Sequence, residues 1–294
     1  MDRRSFLKSA GAAAFLAPAM VNHLMAAPEP PLVAVAEGKD YQAITRKVLH
    51  AMGGMKRFVK SGDVVVVKPN IGWDRPVELA ANTHPLVVKA VVEECLAAGA
   101  KRVKVFDYTC NDPRRCYVNS GIEAALKGMK QVEMKQIEPE RFKMIQLNGQ
   151  FLKEWELYGE ALSANVFINL PIAKHHGLSK LTLGLKNIMG IMGGNRGYTH
   201  RNLDTALADV NAYFKSHLTI IDATRILTAH GPQGGNLADV KVLNTVIASR
   251  DIVAADAFAT TLFGLKPADI PVTVAAYKRG LGEMNLNRIK VVRV

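Results

Sequence analysis

Two hydrophobic rhythms alternate along this chain. Short β-branched runs are separated by longer stretches with apolar residues every three or four positions. The runs at 32–36, 63–68, 102–107, 166–170, 218–222, 240–249 and 289–294 predict strands. The segment DVVVVK at 63–68 is continuously apolar, as expected of a strand covered on both faces. Helical spacing predicts helices over 41–59, 85–98, 202–214, 252–263 and 272–279, and a short one after Ile122. Gly53-Gly54 should break or kink the first. Thr83 is placed to cap the second, with Pro85 in its first turn and Gly99 at its end. A further helix is predicted to open at Ser179, because Leu181, Leu185, Ile188, Met189 and Met192 recur at helical spacing. Short strands at 131–135, 142–147 and 151–157, with a turn at Gly149, suggest a small antiparallel insertion or an edge. The whole pattern predicts an α/β fold, a mostly parallel sheet with helices on both faces. No internal repeat or low-complexity tract follows the N-terminal leader.

Polar residues concentrate where four of the predicted strands end. In open parallel sheets, ligands bind outside the carboxyl ends of the strands. The strand at 63–68 runs into Pro69-Asn70 and Trp73-Asp74-Arg75-Pro76. The strand at 102–107 runs into Cys110, Asp112, Arg114, Arg115 and Cys116. The strand at 166–170 runs into a loop with Lys174, His175 and His176, and the strand at 218–222 into Arg225, His230 and Gly234-Gly235. If these strands are parallel, the four loops share one rim. An anion pocket is then expected from Lys68, Asn70, Arg75, Lys174, Lys180, Lys186, Asn187, His230 and Gly234. His175 and His176, with Lys186, are the catalytic candidates, and His200 and His230 could also bind metal or move protons. Asp74, Asp107, Asp112 and Asp222 could pair with the cations, though a strand-terminal Asp such as Asp107 or Asp222 often only caps a turn. His50, His84 and His217 read as structural. The bland alternative has the lysines snorkelling to the surface and His175-His176 as an ordinary polar loop. Gly231 to Gly235 can turn backbone N–H groups toward an anion but is no Walker loop, and no strand-to-helix GxGxxG occurs, so no nucleotide cofactor is expected.

Composition sets the address. With 294 residues, 49% hydrophobic and 22% charged, the chain is ordinary globular material. Arg3-Arg4-Ser5-Phe6-Leu7-Lys8 precedes an alanine-rich apolar run, with small-residue cleavage sites at Ala17-Pro18-Ala19 and Met25-Ala26-Ala27. Residues 1–27 therefore read as a twin-arginine export signal and residues 28–294 as one α/β domain. The expected location is periplasmic or otherwise outside the cytoplasm, reached through the twin-arginine machinery, which carries folded and often cofactor-loaded cargo. No mature segment is long and apolar enough for a membrane span. The formal charge is +12, and +10 remains after a leader carrying Arg3, Arg4 and Lys8 against Asp2. In that location the excess argues for a small anionic partner or a negative membrane surface rather than nucleic acid.

Three cysteines, Cys95, Cys110 and Cys116, cannot all pair. A Cys110–Cys116 disulfide suits an oxidising compartment. Ligation of an iron–sulfur cluster or another metal by Cys95, Cys110 and Cys116 suits folded export, and Arg114 and Arg115 would lower the thiol pKa of Cys116. Cys95 and Cys116 could equally be packed hydrophobes.

The segments VVVKPNIGWDRPVELAANTHP, FDYTCNDPRRCYVNSGI, KHHGLSKLTLGLKNIMG, and the later AHGPQGG with ASRDIVAADAFA, resemble the bacterial and archaeal "domain of unknown function 362" family over about residues 60–265. The resemblance implies a redox or metal connection. Some relatives carry an appended ferredoxin-like cysteine module that has no counterpart here. Trp73-Asp74-Arg75-Pro76 and Lys174-His175-His176 are also distantly similar to the loops that face a nickel-pincer cofactor in lactate racemase-type enzymes.

Together these features point first to an exported enzyme or redox protein with a metal or iron–sulfur centre and a small anionic substrate. The alternative is a periplasmic anion-binding or carrier protein without catalysis. A third reading is a proton-transfer enzyme using His175 or His176 with Lys186.

Overall fold

Four consecutive valines in VVVVKP need cover on both sides, and the fold supplies it. The computed structural model describes residues 29–294, so the export-signal reading lies outside the described residues. In chain order the elements are β1 (Leu32–Glu37), α1 (Tyr41–Ala51), β2 (Val64–Pro69), α2 (Pro85–Ala97), β3 (Arg102–Val105), α3 (Pro113–Asn119), α4 (Ile122–Leu126) and β4 (Val132–Met134). Then follow β5 (Phe142–Gln146), β6 (Glu154–Tyr158), α5 (Gly159–Leu162), β7 (Val166–Leu170), β8 (Ile172–His176), β9 (Lys180–Thr182) and α6 (Gly184–Asn187). The chain ends with α7 (Leu203–Tyr213), β10 (Leu218–Leu227), β11 (Val240–Ser249), α8 (Ile252–Thr260), α9 (Pro271–Lys278) and β12 (Lys290–Arg293).

Among the described residues a ten-stranded sheet has eight strands in the order β12-β1-β11-β10-β7-β2-β3-β4, with β8 branching from β10 and β9 pairing with β8. The neighbours from β10 through β7, β2 and β3 to β4 are all parallel. Strand β11 is antiparallel to both β10 and β1. The four strands whose ends carry the polar loops are thus adjacent and co-directional, and their loops share one rim. Side chains alternate between two cores. Val65, Val67, Val103 and Val105 meet α1, α2 and α4 on one face, while Val66, Phe106 and Phe167 meet α6 to α9 on the other. The antiparallel insertion is the separate β5–β6 hairpin, whereas β4 joins the main sheet beside β3.

The helix predicted from Ser179 does not form. Past Pro171 the chain continues as β8, which pairs with β10 and then turns back as β9. Only Gly184–Asn187 is α-helical, followed by a 3₁₀ turn over Ile188–Ile191. The apolar residues match helical spacing because this whole stretch is buried, including Leu181, Leu185, Ile188 and Met192. A segment covered on every side carries no amphipathic signature, so its period is uninformative. Cap assignments shift as well. His84, not Thr83, caps α2, its Nδ1 accepting from Leu86 N–H. Thr83 Oγ1 instead accepts from Asn70 N–H and donates to Leu170 O, tying the ends of β2 and β7 together.

Candidate functional site

The rim encloses a cavity of about 430 Å³. Its floor is laid by the last residues of two neighbouring strands. Lys68, near the end of β2, and Asp107, just past β3, are both buried, with Nζ 2.8 Å from Oδ1. Lys68 Nζ also donates to Asn187 Oδ1 (2.9 Å) and Pro69 O (3.0 Å). Asp107 Oδ2 accepts from Ile71 N–H at 2.7 Å, so the residue both fixes the turn and neutralises one cation. Gly190 closes over the pair. A Cβ there would lie 1.7 Å from Asp107 Oδ1 and 2.5 Å from Lys68 Nζ, so any larger residue must displace the pair or the turn.

The wall comes from β8 and α6. Alternation along β8 puts Lys174 and His176 on the cavity side and His175 on the other. Lys174, 1% exposed, donates from Nζ to Asn70 Oδ1 (3.0 Å) and to Ala81 O. Lys186 reaches in from α6, whose opening N–H groups, Gly184 and Leu185, are both accepted by the buried Asp256 carboxylate at 2.7 and 2.9 Å. Asn187 is the hub between strands: Oδ1 accepts from Lys68 and Asn70, and Nδ2 donates to Asn169 Oδ1. Arg196 and His200 enter from the 3₁₀ segment Arg196–Asn202. The Arg196 guanidinium lies 4.1 Å from the Tyr108 ring centroid and donates to Tyr108 O and Thr109 O, both at 3.1 Å.

The electrostatics are one-sided. Among the described residues Asp107 is the single carboxylate lining the cavity, and Lys68 already occupies it. Among the described residues, Lys174, Lys186 and Arg196 have no carboxylate partner. Burial pushes Lys174 down to about 7, and nearby Lys186 and Lys68 push the same way. Burial likewise lowers Lys186 to about 8, helped by Arg196 and Lys68. His176 falls to about 3, first by burial and then by Lys186 and Lys174, so it is neutral throughout the physiological range. Its Nδ1 accepts from the Leu178 and Ser179 N–H groups, which places the remaining proton on Nε2. His176 is therefore a neutral donor, unsuited to act as a base near pH 7. Partial burial and Lys186 also lower His200.

Of the residues expected at the site, Lys68, Asn70, Asp107, Cys110, Lys174, His176, Lys186, Asn187 and His200 converge on this cavity. The others lie apart. His175 Nδ1 accepts from Gly231 N–H and faces an adjoining chamber with the exposed Lys180. His230 is exposed and pairs with Asp239 Oδ2 at 2.9 Å, displaced because β10 runs on to Leu227 instead of ending at Asp222. Gly234 packs against Leu227, while Gly231 and Pro232 reach the cavity instead. Arg75 donates to the neighbouring Asp74 O and does not line the cavity. Arg196, Tyr108 and Gly190 went unread as site residues. The only sequence hint was the glycine cluster Gly190, Gly193 and Gly194, which marks close backbone approach.

Cys110 N–H and Cys116 Sγ both meet Gly72 O, at 2.8 and 3.8 Å, while Cys95 lies elsewhere. All three are free, with Cys110 exposed at the cavity and Cys95 and Cys116 buried. Cys95 packs in the core between α2 and the sheet. Burial raises both buried thiols, Cys116 to about 11, against the lowering expected from Arg114 and Arg115. Those arginines pair with Asp112 and Asp74 instead. Among the described residues no three His, Cys, Asp or Glu side chains come together as a metal-ligand set, so a cluster held by these three thiolates does not fit this arrangement. No helix among the described residues is long and apolar enough to cross a membrane.

Comparison with known proteins finds relatives of this chain. The chain is 28% identical over 253 residues to thylakoid-associated protein sll1697 of Synechocystis sp., covering 83% of this chain and 77% of that protein. Among solved structures it is similar to the lactate racemase apoprotein of Thermoanaerobacterium thermosaccharolyticum, with a TM-score of 0.48 and 13% identity, covering 78% of this chain and 56% of the other. A structural-genomics protein from Thermotoga maritima gives a TM-score of 0.44 and 13% identity, covering 78% of this chain and 60% of the other. The chain thus spans less than two thirds of the length of either structure. Residues 65–261, which include the rim loops and the cavity lysines, match the family described as a domain of unknown function (DUF362), and the chain belongs to that family.

Proposed function

We propose that the rim cavity binds a small organic anion and exchanges a proton with it, and that the protein is an enzyme acting after export by the twin-arginine route. The observation that carries this reading is the set of three cations without carboxylates, Lys174, Lys186 and Arg196, facing one cavity. Unpaired cations out of water are costly, and an anionic ligand removes the cost. The cavity volume suits a molecule of a few to a dozen heavy atoms, and Trp73, Tyr108 and Met189 give it apolar wall. Each residue has a distinct part. Lys174 and Arg196 hold the anion, and the pair of Lys68 with Asp107 keeps the floor rigid. Lys174 and Lys186, lowered to about 7 and 8, sit where a group both gives and takes a proton near neutrality. His176 Nε2–H donates a hydrogen bond to oxygen on which charge develops.

Calorimetric titration with acetate, glycolate, pyruvate and inorganic phosphate tests the binding. Saturable binding is expected, weakened about tenfold or more, or about 1.4 kcal/mol, by Lys174→Met. Proton NMR in deuterium oxide tests the chemistry through exchange of carbon-bound hydrogen of the bound ligand. Binding of none of the four anions would overturn the reading. Binding without exchange would reduce it to an anion carrier.

A further inference from the structure

Four basic side chains line the cavity besides its histidines, and they are not equivalent. Lys68 Nζ has Asp107 Oδ1, Asn187 Oδ1 and Pro69 O. Lys174 Nζ has Asn70 Oδ1 and Ala81 O. Arg196 has the carbonyls of Tyr108 and Thr109. Each of these groups already has oxygen acceptors that claim its N–H bonds and fix where its nitrogen points, even though burial lowers Lys68 and Lys174 as well. Lys186 differs. Among the described residues its one hydrogen-bond partner is the thioether of Met189, against which Nζ is packed. Thioether sulfur is a weak acceptor and solvates an ammonium poorly. The same position leaves the lone pair of a neutral amine unengaged. Burial first, and then Arg196 and Lys68, act against its charge, and at a value of about 8 roughly a tenth of Lys186 is neutral at pH 7.

We propose that Lys186 is a nucleophile that forms an imine with the carbonyl carbon of a small oxo acid, whose carboxylate is held by Lys174 and Arg196. The proposal rests on the anion-binding reading and adds a covalent step to it. The nitrogen lone pair attacks the carbonyl carbon, forming a C–N bond while the C=O π pair moves to oxygen. His176 Nε2–H hydrogen-bonds to that oxygen as its charge grows. The nitrogen loses one proton and the oxygen gains one, giving a carbinolamine. The nitrogen then loses its second proton as the carbinolamine hydroxyl departs, so that amine and carbonyl become imine and water. No oxidant or reductant takes part. A desolvated lysine beside a second cation is a general way to obtain such an amine. Of the three cavity lysines, Lys186 alone combines that setting with a nitrogen unclaimed by oxygen.

Reductive trapping tests this directly. The full chain is incubated near pH 7.5 with pyruvate or glyoxylate and sodium cyanoborohydride, and adducts are located by peptide mass mapping. The expected result is one reduced adduct per chain, on Lys186, absent from Lys186→Arg and suppressed by excess acetate. Adduct spread over exposed lysines, or adduct at the cavity on Lys174 instead, would overturn the assignment. Acetate binding is measured calorimetrically on the same preparation. Acetate binding without a Lys186 adduct overturns the imine and leaves the anion site standing, whereas absence of both overturns both. Because mapping of the unmodified sequence already discriminates among the lysines, a Lys186→Arg chain that failed to fold would not spare the proposal.

Discussion

Lys68 Nζ lies 2.8 Å from Asp107 Oδ1 at the ends of adjacent parallel strands, with both side chains buried. The pair sets the charge of the whole cavity. It consumes the one carboxylate there and leaves every other cation available to a ligand.

Removing one partner should expose that dependence. Asp107→Ala strands a buried ammonium and leaves Ile71 N–H without its acceptor. Breaking a buried pair in this way costs about 3–5 kcal/mol. The midpoint of denaturant unfolding should fall accordingly. A loss below about 1 kcal/mol, the range of exposed pairs, would show that water reaches the pair.

Gly190 should resist replacement for the same geometric reason. The Cβ of Gly190→Ala would sit 1.7 Å from Asp107 Oδ1 and 2.4 Å from Lys68 Cε, so the pair must part or the 3₁₀ turn must move. Overpacking of this kind costs about 1–3 kcal/mol or more, and anion affinity should fall with it. Gly177 also borders the cavity, but its Cβ would find its nearest neighbour at 4.0 Å, the Gly231 carbonyl oxygen. Thermal melts should therefore show Gly190→Ala strongly shifted and Gly177→Ala within about 0.5 kcal/mol of the parent. Equal shifts would contradict the close-packing argument.

These two positions also show how far the chain can be read without its structure. The strands at 63–68, 102–107 and 166–170 announce themselves because β-branched runs covered on both faces have few other homes, and their ends fix where Lys68, Asn70 and Asp107 lie. Lys174 and His176 are expected on a loop at this rim, and they line its cavity from a strand instead. They sit on β8, and strand alternation rather than loop geometry separates His176 from His175. The misread helix has a physical cause: the 181–192 stretch is buried on every side, so spacing alone could not tell a hairpin and a 3₁₀ turn from a helix. Arg196 was illegible because a 3₁₀ segment has no hydrophobic period, and what fixes it is a contact with Tyr108 from 88 residues away. Cys116 illustrates the opposite error. Its neighbours in sequence, Arg114 and Arg115, point to carboxylates, and burial decides its thiol instead.

Asp256 provides a pH test of how α6 is held. Its carboxylate accepts both opening N–H groups of the short helix that presents Lys186 and Asn187. Burial pushes its pKa up from 3.8 to about 7. A raised acid contributes stability that is fully present below its unfolded value and is lost as pH rises through its folded value. Unfolding midpoints should therefore fall between about pH 4 and 7 through this group. Asp256→Asn, which keeps an oxygen acceptor but cannot titrate, should flatten the curve in that window. An unchanged slope would mean that Asp256 ionises normally.

The lysines predict the opposite sign in the next window. Lys174 and Lys186 are lowered from 10.5 to about 7 and 8. For a lysine depressed in the fold, stability is present above the unfolded value and lost as pH falls through the folded one. The ligand-free chain should therefore gain stability from about pH 7 toward 9 through these groups. Near 9 the buried thiols of Cys95 and Cys116, which ionise more readily in the unfolded chain, begin to oppose the gain. Anion affinity should move the other way. A bound anion favours both lysines charged, so binding near pH 8 must draw protons from solution, while binding near pH 6 draws few. Calorimetry in two buffers of different ionisation enthalpy reads this uptake directly. The apparent binding enthalpy should depend on the buffer at pH 8 and hardly at pH 6, and Lys174→Met should remove most of the difference. A buffer-independent enthalpy at pH 8 would show that the lysines are already charged before the anion arrives, and the cavity would then owe its selectivity to fixed charge alone.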